Sequence, residues 1–457
     1  MAVWSIVKVS ELYTGRRLGA EFYHLDKLRA LGLLRSRSLH YVQDSFAHVR
    51  RILNTSTAEP GFAVPTFVFD LSDIEAHFLG EGLRVSGPAE IGSAKKIFKS
   101  GDVVISRLRP YLHEIAFADH DGMLLGSTEF IVLRQKKGSD IPAEFLFVFL
   151  MTKEVQNVLL WSQEGTNHPR FPESVLLEIP LPKPDESTMT QVIELVRKAN
   201  QAFRNSRESY LQAERMVLEE IGRDKLDLSQ PKWWTVSLSR AQAGHRIDAE
   251  HFQPKYDKLI AHLKKKGKVK RIHDLLSEPI QKGVTPEYNL DGSIVVVNSQ
   301  HLGRYCLNFE ATDRTTETFW KTNRRAQICP NDVMIYATGA YIGRANAYLE
   351  TARALAGVDI LLVRPTGECN PLYLAVFLNA PPGLMQSRMF ASGSGQAHIY
   401  PEDVSCYWVF LPSGNFQQRI ADLVRQSYQA RQKAKVLLEE AKAKVEALIE
   451  GRGINLC

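Results

Sequence analysis

The sequence predicts an α+β protein built from two repeated domains, each mixing short strands with helices and closing on one long helix. Three observations lead there. The second half of the 457-residue chain repeats the first at a shift of about 229 residues. Within each half, short apolar runs led by turn residues alternate with helical stretches. Each half then ends on a long charged helix with apolar residues every three or four positions, stopped by glycine. A period this long marks two whole domains and not a stacked array. Duplicated halves tend to lie about a pseudo-two-fold axis.

The repeat is carried by matched segments in unchanged order. Arg17-Leu18-Gly19-Ala20-Glu21-Phe22 falls on Arg246-Ile247-Asp248-Ala249-Glu250-His251, and Trp4 on Trp233. Gly101-Asp102-Val103-Val104-Ile105 falls on Asn331-Asp332-Val333-Met334-Ile335. Phe130 to Arg134 falls on Ile360 to Arg364, Phe171 to Val175 on Tyr400 to Val404, and Leu195 to Arg197 on Leu423 to Arg425. These are frame positions: strand runs, prolines and helix starts. The stretches between them differ, so one frame carries two different surfaces at a fixed separation.

Each half reads in the same order. A leading strand is expected at Val3–Leu12 and at Trp234–Ser239, then an amphipathic helix over about 22–34 and about 256–263, the second ending in Lys264-Lys265-Lys266-Gly267-Lys268. Val103–Ile105 and Ile131–Leu133, with their mates Val333–Ile335 and Ile360–Val363, read as buried strands. A helix then follows Pro142, over 143–160, and another follows Pro371, because proline suits the first turn, where its missing N–H costs nothing. Pro381-Pro382 is read as the stop of that second copy. A polar loop comes next, Glu164–His168 or Ser392–Gln396, and then a proline-bounded strand, Ile179–Pro182 or Val409–Pro412. The long helices are expected over about 188–221 before Gly222 and about 415–449 before Gly451. Their seams are read as Ile193, Val196, Asn200, Phe203, Arg207, Tyr210, Glu214, Val217, Ile221 and as Ile420, Leu423, Ser427, Ala430, Ala434, Leu437, Ala441, Leu448. Long, charged and duplicated, these helices are expected to pair as a coiled coil, since neither would stand well alone.

Composition narrows the class. Hydrophobic content of 44% and charged content of 24% suit a globular protein with two cores. The start lacks the apolar core of a signal peptide, and no apolar run is long enough to cross a bilayer. The five cysteines all lie in the second half without CxxC spacing, which argues against a disulfide framework and a zinc site. A cytoplasmic location with no membrane partner is expected. The net charge of +6 permits a polyanionic partner without demanding one.

Catalytic motifs fail in turn. Asn379-Ala380-Pro381-Pro382-Gly383 lacks the aromatic and the second residue of an amino-methyltransferase loop and reads as a helix stop. Phe390–Gly395 lacks the third glycine of a dinucleotide fingerprint, and no phosphate-loop lysine motif, HExxH or GxSxG occurs. Glu90 with Lys95 reads as a solvated face. No catalytic, cofactor-binding or metal-binding residue is therefore assigned.

What remains is a set of side chains suited to clamping phosphates and bonding base edges. The loop after the Asp102 strand carries Arg107, Arg109 and Tyr111; its mate carries Tyr336, Thr338, Tyr341 and Arg344. The polar loops add Asn167, His168 and Arg170 in one half, Gln396 and His398 in the other. Asn298, Gln300 and Arg304 form a further cluster, Arg324 and Arg325 another, and Lys95 and Lys96 a basic stretch.

Taken together, the chain resembles the DNA-specificity subunit of type I restriction–modification systems, over almost its whole length. The carriers are Gly101 to Arg107, the mate Asp332 to Arg344, and Leu411-Pro412 to Gln417-Gln418-Arg419-Ile420 with its long helix. The first half departs from the pattern where Leu108-Arg109-Pro110 stands against Thr338-Gly339-Ala340. The resemblance implies two target-recognition domains of mixed α/β structure joined by two long antiparallel coiled-coil helices. It implies domains at 1–184 and 246–412, spacer helices at 185–222 and 413–451, a linker at 223–245 and a tail at 452–457. The implied partners are double-stranded DNA, two methyltransferase subunits and translocase/nuclease subunits, with S-adenosylmethionine and ATP bound by those partners and no catalysis in this chain. A helix of ~32 residues is ~48 Å long, the rise of ~14 base pairs, so two differing readers imply a bipartite, asymmetric site. A DNA-sensing subunit of another phage-defence system and a coiled-coil adaptor that never touches DNA are the alternatives.

Overall fold

The computed structural model describes residues 5–7, 9, 18–53, 65–229, 231–308, 313–393 and 395–451. Most of the leading strand expected at Val3–Leu12, Trp4, Arg17, Ser394 and the tail at 452–457 lie outside these residues. The chain divides into two compact units, Met1–Phe203 with Gln432–Cys457, and Arg204–Arg431.

Among the described residues the first unit holds two sheets. One runs in the order Phe46–His48, Phe130–Gln135, Val103–Ser106, Ile115–Phe117, Phe78–Leu79, Ile74–Glu75; the other in the order Ile52–Leu53, Lys95–Phe98, Met123–Gly126, Thr66–Phe69, Leu83–Val85. Val103, Ile105, Ile131 and Leu133 face one apolar cluster with the helix Ala143–Met151, while Val104, Phe130 and Val132 face a second cluster with Phe69, Phe98 and Leu124. Successive side chains of a strand point to opposite faces. Burial on both faces is why these strands read as unbroken apolar runs.

The second unit repeats that plan. Gln281–Lys282, Ile360–Val363, Val333–Tyr336 and Ala345–Ala347 form one sheet; Asp313–Thr315, Ile294–Val297, Ala354–Ala356 and Gln327–Ile328 form the other. Even the parallel pair recurs: Met123–Gly126 beside Thr66–Phe69 in the first unit, Ala354–Ala356 beside Ile294–Val297 in the second. The alternation recurs too, with Val333, Ile335, Leu361 and Val363 in one cluster and Met334, Ile360 and Leu362 in another.

Several sequence expectations need correction. The strand expected at Trp234–Ser239 is irregular chain followed by the helix Leu238–Gly244, capped by the Ser237 hydroxyl. Ser-led chain that can cap its own helix favours that state over a strand. The helix expected over 143–160 breaks at Thr152 into Ala143–Met151 and Lys153–Leu160. The second copy breaks at Ala380, and Pro381 opens a new helix, Pro381–Phe390, instead of ending the old one. Gly383 permits that corner, since a Cβ there would sit 2.3 Å from the Leu378 Cα. Ile179–Pro182 forms no strand, only a bridge from Pro180 to Tyr41, whereas Trp408–Phe410 pairs with Val269–Arg271.

The long helices span Glu186–Ile221 and Gly414–Glu450 and stop at Gly222 and Gly451, both in the left-handed region at φ 70° and 72°. In the first unit, Val192, Val196, Ala199 and Phe203 share a core with Ala434, Leu438, Ala441, Val445 and Ile449. In the second, Tyr210, Ala213, Val217 and Ile221 share one with Ile420, Ala421 and Val424, and the Ser206 and Ser427 hydroxyls meet at 3.1 Å. The start of each helix is thus cored with the end of the other, which is antiparallel pairing. The first seam expectation is half right. Val196, Phe203, Tyr210, Val217 and Ile221 belong, but Val192, Ala199, Ser206 and Ala213 replace Ile193, Asn200, Arg207 and Glu214. In the second, Ile420, Ser427, Ala434 and Ala441 are buried, and Leu423, Leu437 and Leu448 pack half-buried against the same cores beside the buried Val424, Leu438 and Ile449. Small alanine and serine positions hid the true register.

Candidate nucleic-acid interface

In each unit the loop leaving the central strand is stitched to the polar loop by the same backbone bonds. The Arg109 N–H donates to the Pro169 carbonyl at 2.7 Å and the Phe171 N–H to the Arg107 carbonyl at 3.2 Å. The mates are Gly339 to Ala397 at 2.9 Å and Ile399 to Ala337 at 2.9 Å. Leu108 bridges Arg170, as Thr338 bridges His398; Glu164 bridges Arg170, as Ser392 bridges His398. The Arg107 N–H reaches the Glu129 carbonyl at 3.1 Å, and the Ala337 N–H the Asp359 carbonyl at 2.8 Å.

The departure at Leu108-Arg109-Pro110 therefore leaves the backbone path intact. Arg109 takes the left-handed conformation at φ 50° where its mate Gly339 is at φ 119°. His113 at φ 53° matches Gly343 at φ 86°. Side chains other than glycine hold such angles at a cost of ~1–3 kcal/mol, borne by the surrounding bonds. A Cβ at Gly343 would lie 2.2 Å from the Ser387 Oγ, so the second loop is fixed by close approach to the helix Pro381–Phe390.

Sequence reasoning named these loops separately, and the structure brings their members together. In the first unit Arg107, Arg109, His168 and Arg170 converge. Glu129 accepts from the Arg107 Nε at 3.0 Å and from Arg170 Nη2 at 2.7 Å, and these arginines hold its carboxyl below the usual range, Arg170 first. Arg109 Nη2 lies 3.4 Å from the His168 ring, and its Nε is buried with no hydrogen-bond partner among the described residues. Asn167 and His168 are exposed, as is Tyr111 at 48%.

In the second unit Thr338 Oγ1 meets His398 Nδ1 at 3.2 Å. Arg344 lies over the Tyr341 ring at 3.6 Å, and Tyr336 meets Tyr341 edge to face. Gln396 follows in the same polar loop. Tyr341 is the repeat mate of Tyr111 and is 45% exposed. A guanidinium stacked on an exposed ring, and an exposed ring alone, are both able to stack on bases and to meet phosphates.

Other candidates fall elsewhere. Lys95 and Lys96 are not an exposed basic stretch. They lie in a strand and are buried, Lys95 on Asp70 at 3.1 Å and Lys96 beside His48 and Glu173. Burial lowers the Lys96 pKa. Pairing of Lys95 with Asp70 also corrects the solvated reading of Glu90 with Lys95. The Asn298 side chain is spent inside its own domain, donating to Asp313 at 2.9 Å and Tyr288 at 3.2 Å. Arg304 lies 3.8 Å from Glu214 of the first long helix. Gln300, Arg324 and Arg325 are exposed and away from the stitched loops in sequence.

Sequence reasoning missed a clamp behind the second polar loop. Arg246 donates to the Phe390 carbonyl at 2.7 Å and the Ala391 carbonyl at 2.8 Å, while Asp248 holds its guanidinium at 2.8 and 2.9 Å. His251 Nδ1 adds the Met389 carbonyl at 2.9 Å. Carbonyls at a helix end lack intrahelical partners and carry partial negative charge, so a cation there is favoured. The repeat pattern marked Arg246, Asp248 and His251, but only the fold shows what they hold. No group of His, Cys, Asp and Glu among the described residues could hold a metal ion, and none of the described helices is long and apolar enough to cross a membrane.

Comparison with known proteins finds relatives over part of this chain. The chain is 30% identical over 113 residues to the type I restriction enzyme EcoDI specificity subunit of Escherichia coli, covering 25% of this chain and 23% of that protein. The chain is similar to type I restriction specificity subunits. A second such subunit, HindI of Haemophilus influenzae, is 29% identical over 109 residues, 23% of each chain. The match spans about a quarter of the length of these curated specificity subunits. No protein-family model matches. Among solved structures, the S subunit of a type I system from M. genitalium aligns over 92% of this chain and 96% of its own at 13% identity and a TM-score of 0.39. The HsdS subunit of Thermoanaerobacter tengcongensis aligns over 90% and 95% at 16% identity and a TM-score of 0.31. A chain from a structure of type I system assembly and conformational transition aligns over 89% and 98% at 18% identity and a TM-score of 0.28.

Proposed function

We propose that this chain is the sequence-specific DNA-binding specificity subunit of a type I restriction–modification complex, with each recognition domain reading one half of a bipartite, asymmetric site. One observation carries the reading. Two loop pairs are stitched by the same backbone bonds, yet around a tyrosine common to both the side chains they display differ: Arg107, Arg109 and Arg170 in one, Tyr336, Thr338, His398 and a stacked Arg344 in the other. A frame kept by packing with side chains free to change is what reading two different sequences requires. The similarity to curated specificity subunits supports it.

In this reading the paired long helices set the spacing of the half-sites and dock two methyltransferase subunits, and translocase/nuclease subunits join outside them. S-adenosylmethionine and ATP are bound by those partners, the chain itself performs no catalysis, and the complex works in the cytoplasm. The test is a mobility-shift titration of the assembled complex on a duplex carrying the motif methylated in host DNA. Tight binding there with weak binding to an unrelated duplex supports the proposal. Absence of DNA binding by the assembled complex overturns it and leaves the protein-joining adaptor.

A further inference from the structure

An open cleft of about 800 Å³ lies in the second unit, between the start of the helix Pro254–Lys266 and the stitched loops. Its volume is within the ~300–1,000 Å³ that holds small ligands. Small residues, Gly339, Ala340 and Ala397, form part of its lining, so a ligand can approach the backbone closely there. Lys255, Arg388 and Gln396 stand along it, with Glu250 as the acidic member. Arg388 is exposed, and neither Arg388 nor Lys255 has an ion pair with an acidic residue among the described residues; Lys255 rests 5.0 Å from the Tyr256 ring centre.

We propose that this cleft takes the sugar–phosphate backbone of one DNA strand next to the bases read by the second loop pair, with Lys255 and Arg388 as its phosphate contacts. The inference rests on the DNA-reading function proposed above. Gln396 and Gly339 belong both to the cleft wall and to the stitched loops, so a strand whose bases meet Thr338 and Tyr341 continues into the cleft. An open trough walled by a lysine and an arginine suits a chain of phosphates better than an enclosed neutral ligand. Phosphate contacts position a protein on DNA and carry no sequence preference, so Lys255 and Arg388 add affinity while the loop side chains add selection.

The experiment measures binding of the full chain to two duplexes, one carrying the host-methylated motif and one unrelated, between 50 and 200 mM salt. Each phosphate contact contributes a slope of about 0.9 to log affinity against log salt. Lys255→Ala and Arg388→Ala are each expected to flatten the slope by about 0.9 on both duplexes and to leave the ratio between duplexes unchanged; Lys255→Arg is expected to keep the slope. Glu250→Gln removes a carboxylate that opposes phosphate. It is expected to tighten binding to both duplexes at low salt, a gain that misfolding cannot mimic. Wild-type slopes in both alanine variants with no gain in Glu250→Gln overturn the inference while the DNA-reading function stands. A wild-type chain and assembled complex that bind neither duplex overturn both.

Discussion

Asp102 accepts two hydrogen bonds from the Arg134 guanidinium, each at 2.7 Å, and the two residues lie 32 positions apart. Asp332 and Arg364 repeat the pair at 2.8 and 2.9 Å with the same spacing. Each aspartate also accepts the N–H three residues before it, Lys99 at 2.9 Å and Cys329 at 2.8 Å. The pair ties the turn before the central strand to the end of its neighbour, at the start of the strand whose far end launches the candidate loop. Removing one partner of a buried pair costs ~3–5 kcal/mol. Arg134 keeps 35% exposure and Arg364 only 18%. Asp102→Ala and Asp332→Ala are therefore each expected to lower unfolding stability by ~2 kcal/mol, because Arg134 is relieved by solvent and Arg364 by its second ion pair to Glu278 and its bond to the Gln327 carbonyl at 2.7 Å. Denaturant titration of the two variants checks this; a loss below ~0.5 kcal/mol in either contradicts it.

Glu129 holds Arg107 and Arg170, which keep 36% and 39% exposure, so solvent screens both pairs and their contribution to stability is small, below ~1 kcal/mol. Its carboxyl is held below the ordinary 4.5. A depressed carboxylate contributes stability above its unfolded pKa and loses it as pH falls through the folded pKa. The difference in melting temperature between wild type and Glu129→Gln is expected to be constant above about pH 5 and to vanish on further acidification. A difference that grows toward low pH would contradict the assignment.

In the proposed function, Arg246 acts through the Phe390 and Ala391 carbonyls that it holds. Arg246→Lys preserves the charge at the helix end but cannot serve both carbonyls and Asp248 at once. Selection at the half-site read by Thr338, Tyr341 and His398 is expected to relax by about tenfold, ~1.4 kcal/mol, with the other half-site unchanged. Binding to duplexes varied in one half at a time measures it. An equal loss on both halves would show that Arg246 serves stability alone.

Much of the frame was legible because strands buried on both faces leave unbroken apolar runs, and because duplication wrote each run twice. Val103–Ile105 and Val333–Ile335 were found that way. The seams of the long helices were legible only in part, since Ala199, Ser206 and Ala213 carry no hydrophobic signal and the neighbouring polar residues fit the period as well. The loop residues Arg107, Arg109, Tyr341 and Arg344 were visible by type and by repeat position. Burial of Lys95 and Lys96 was not, because a lysine pair in a short run reads as surface until its strand partners are known. Glu129 and the Arg246 clamp depend on contacts between distant segments, which spacing alone does not encode.

Pairing of the long helices along Val196, Phe203, Tyr210 and Val217 predicts a ruler. Deleting seven residues from each helix at facing positions keeps the seam and shortens each by ~10 Å, the rise of ~3 base pairs. The methylated motif of cells carrying the shortened chain is expected to keep both half-sites and lose that much of the gap. Altered half-sites with an unaltered gap would contradict the ruler.

The central claim is that the two loop pairs read DNA independently, and binding of Arg109→Ala and Tyr341→Ala complexes to duplexes mutated in one half-site at a time tests it most directly. Each substitution is expected to erase discrimination of ~1–3 kcal/mol at one or two base pairs of one half-site only, a different half-site for each. Equal losses on both half-sites from either substitution would contradict the account.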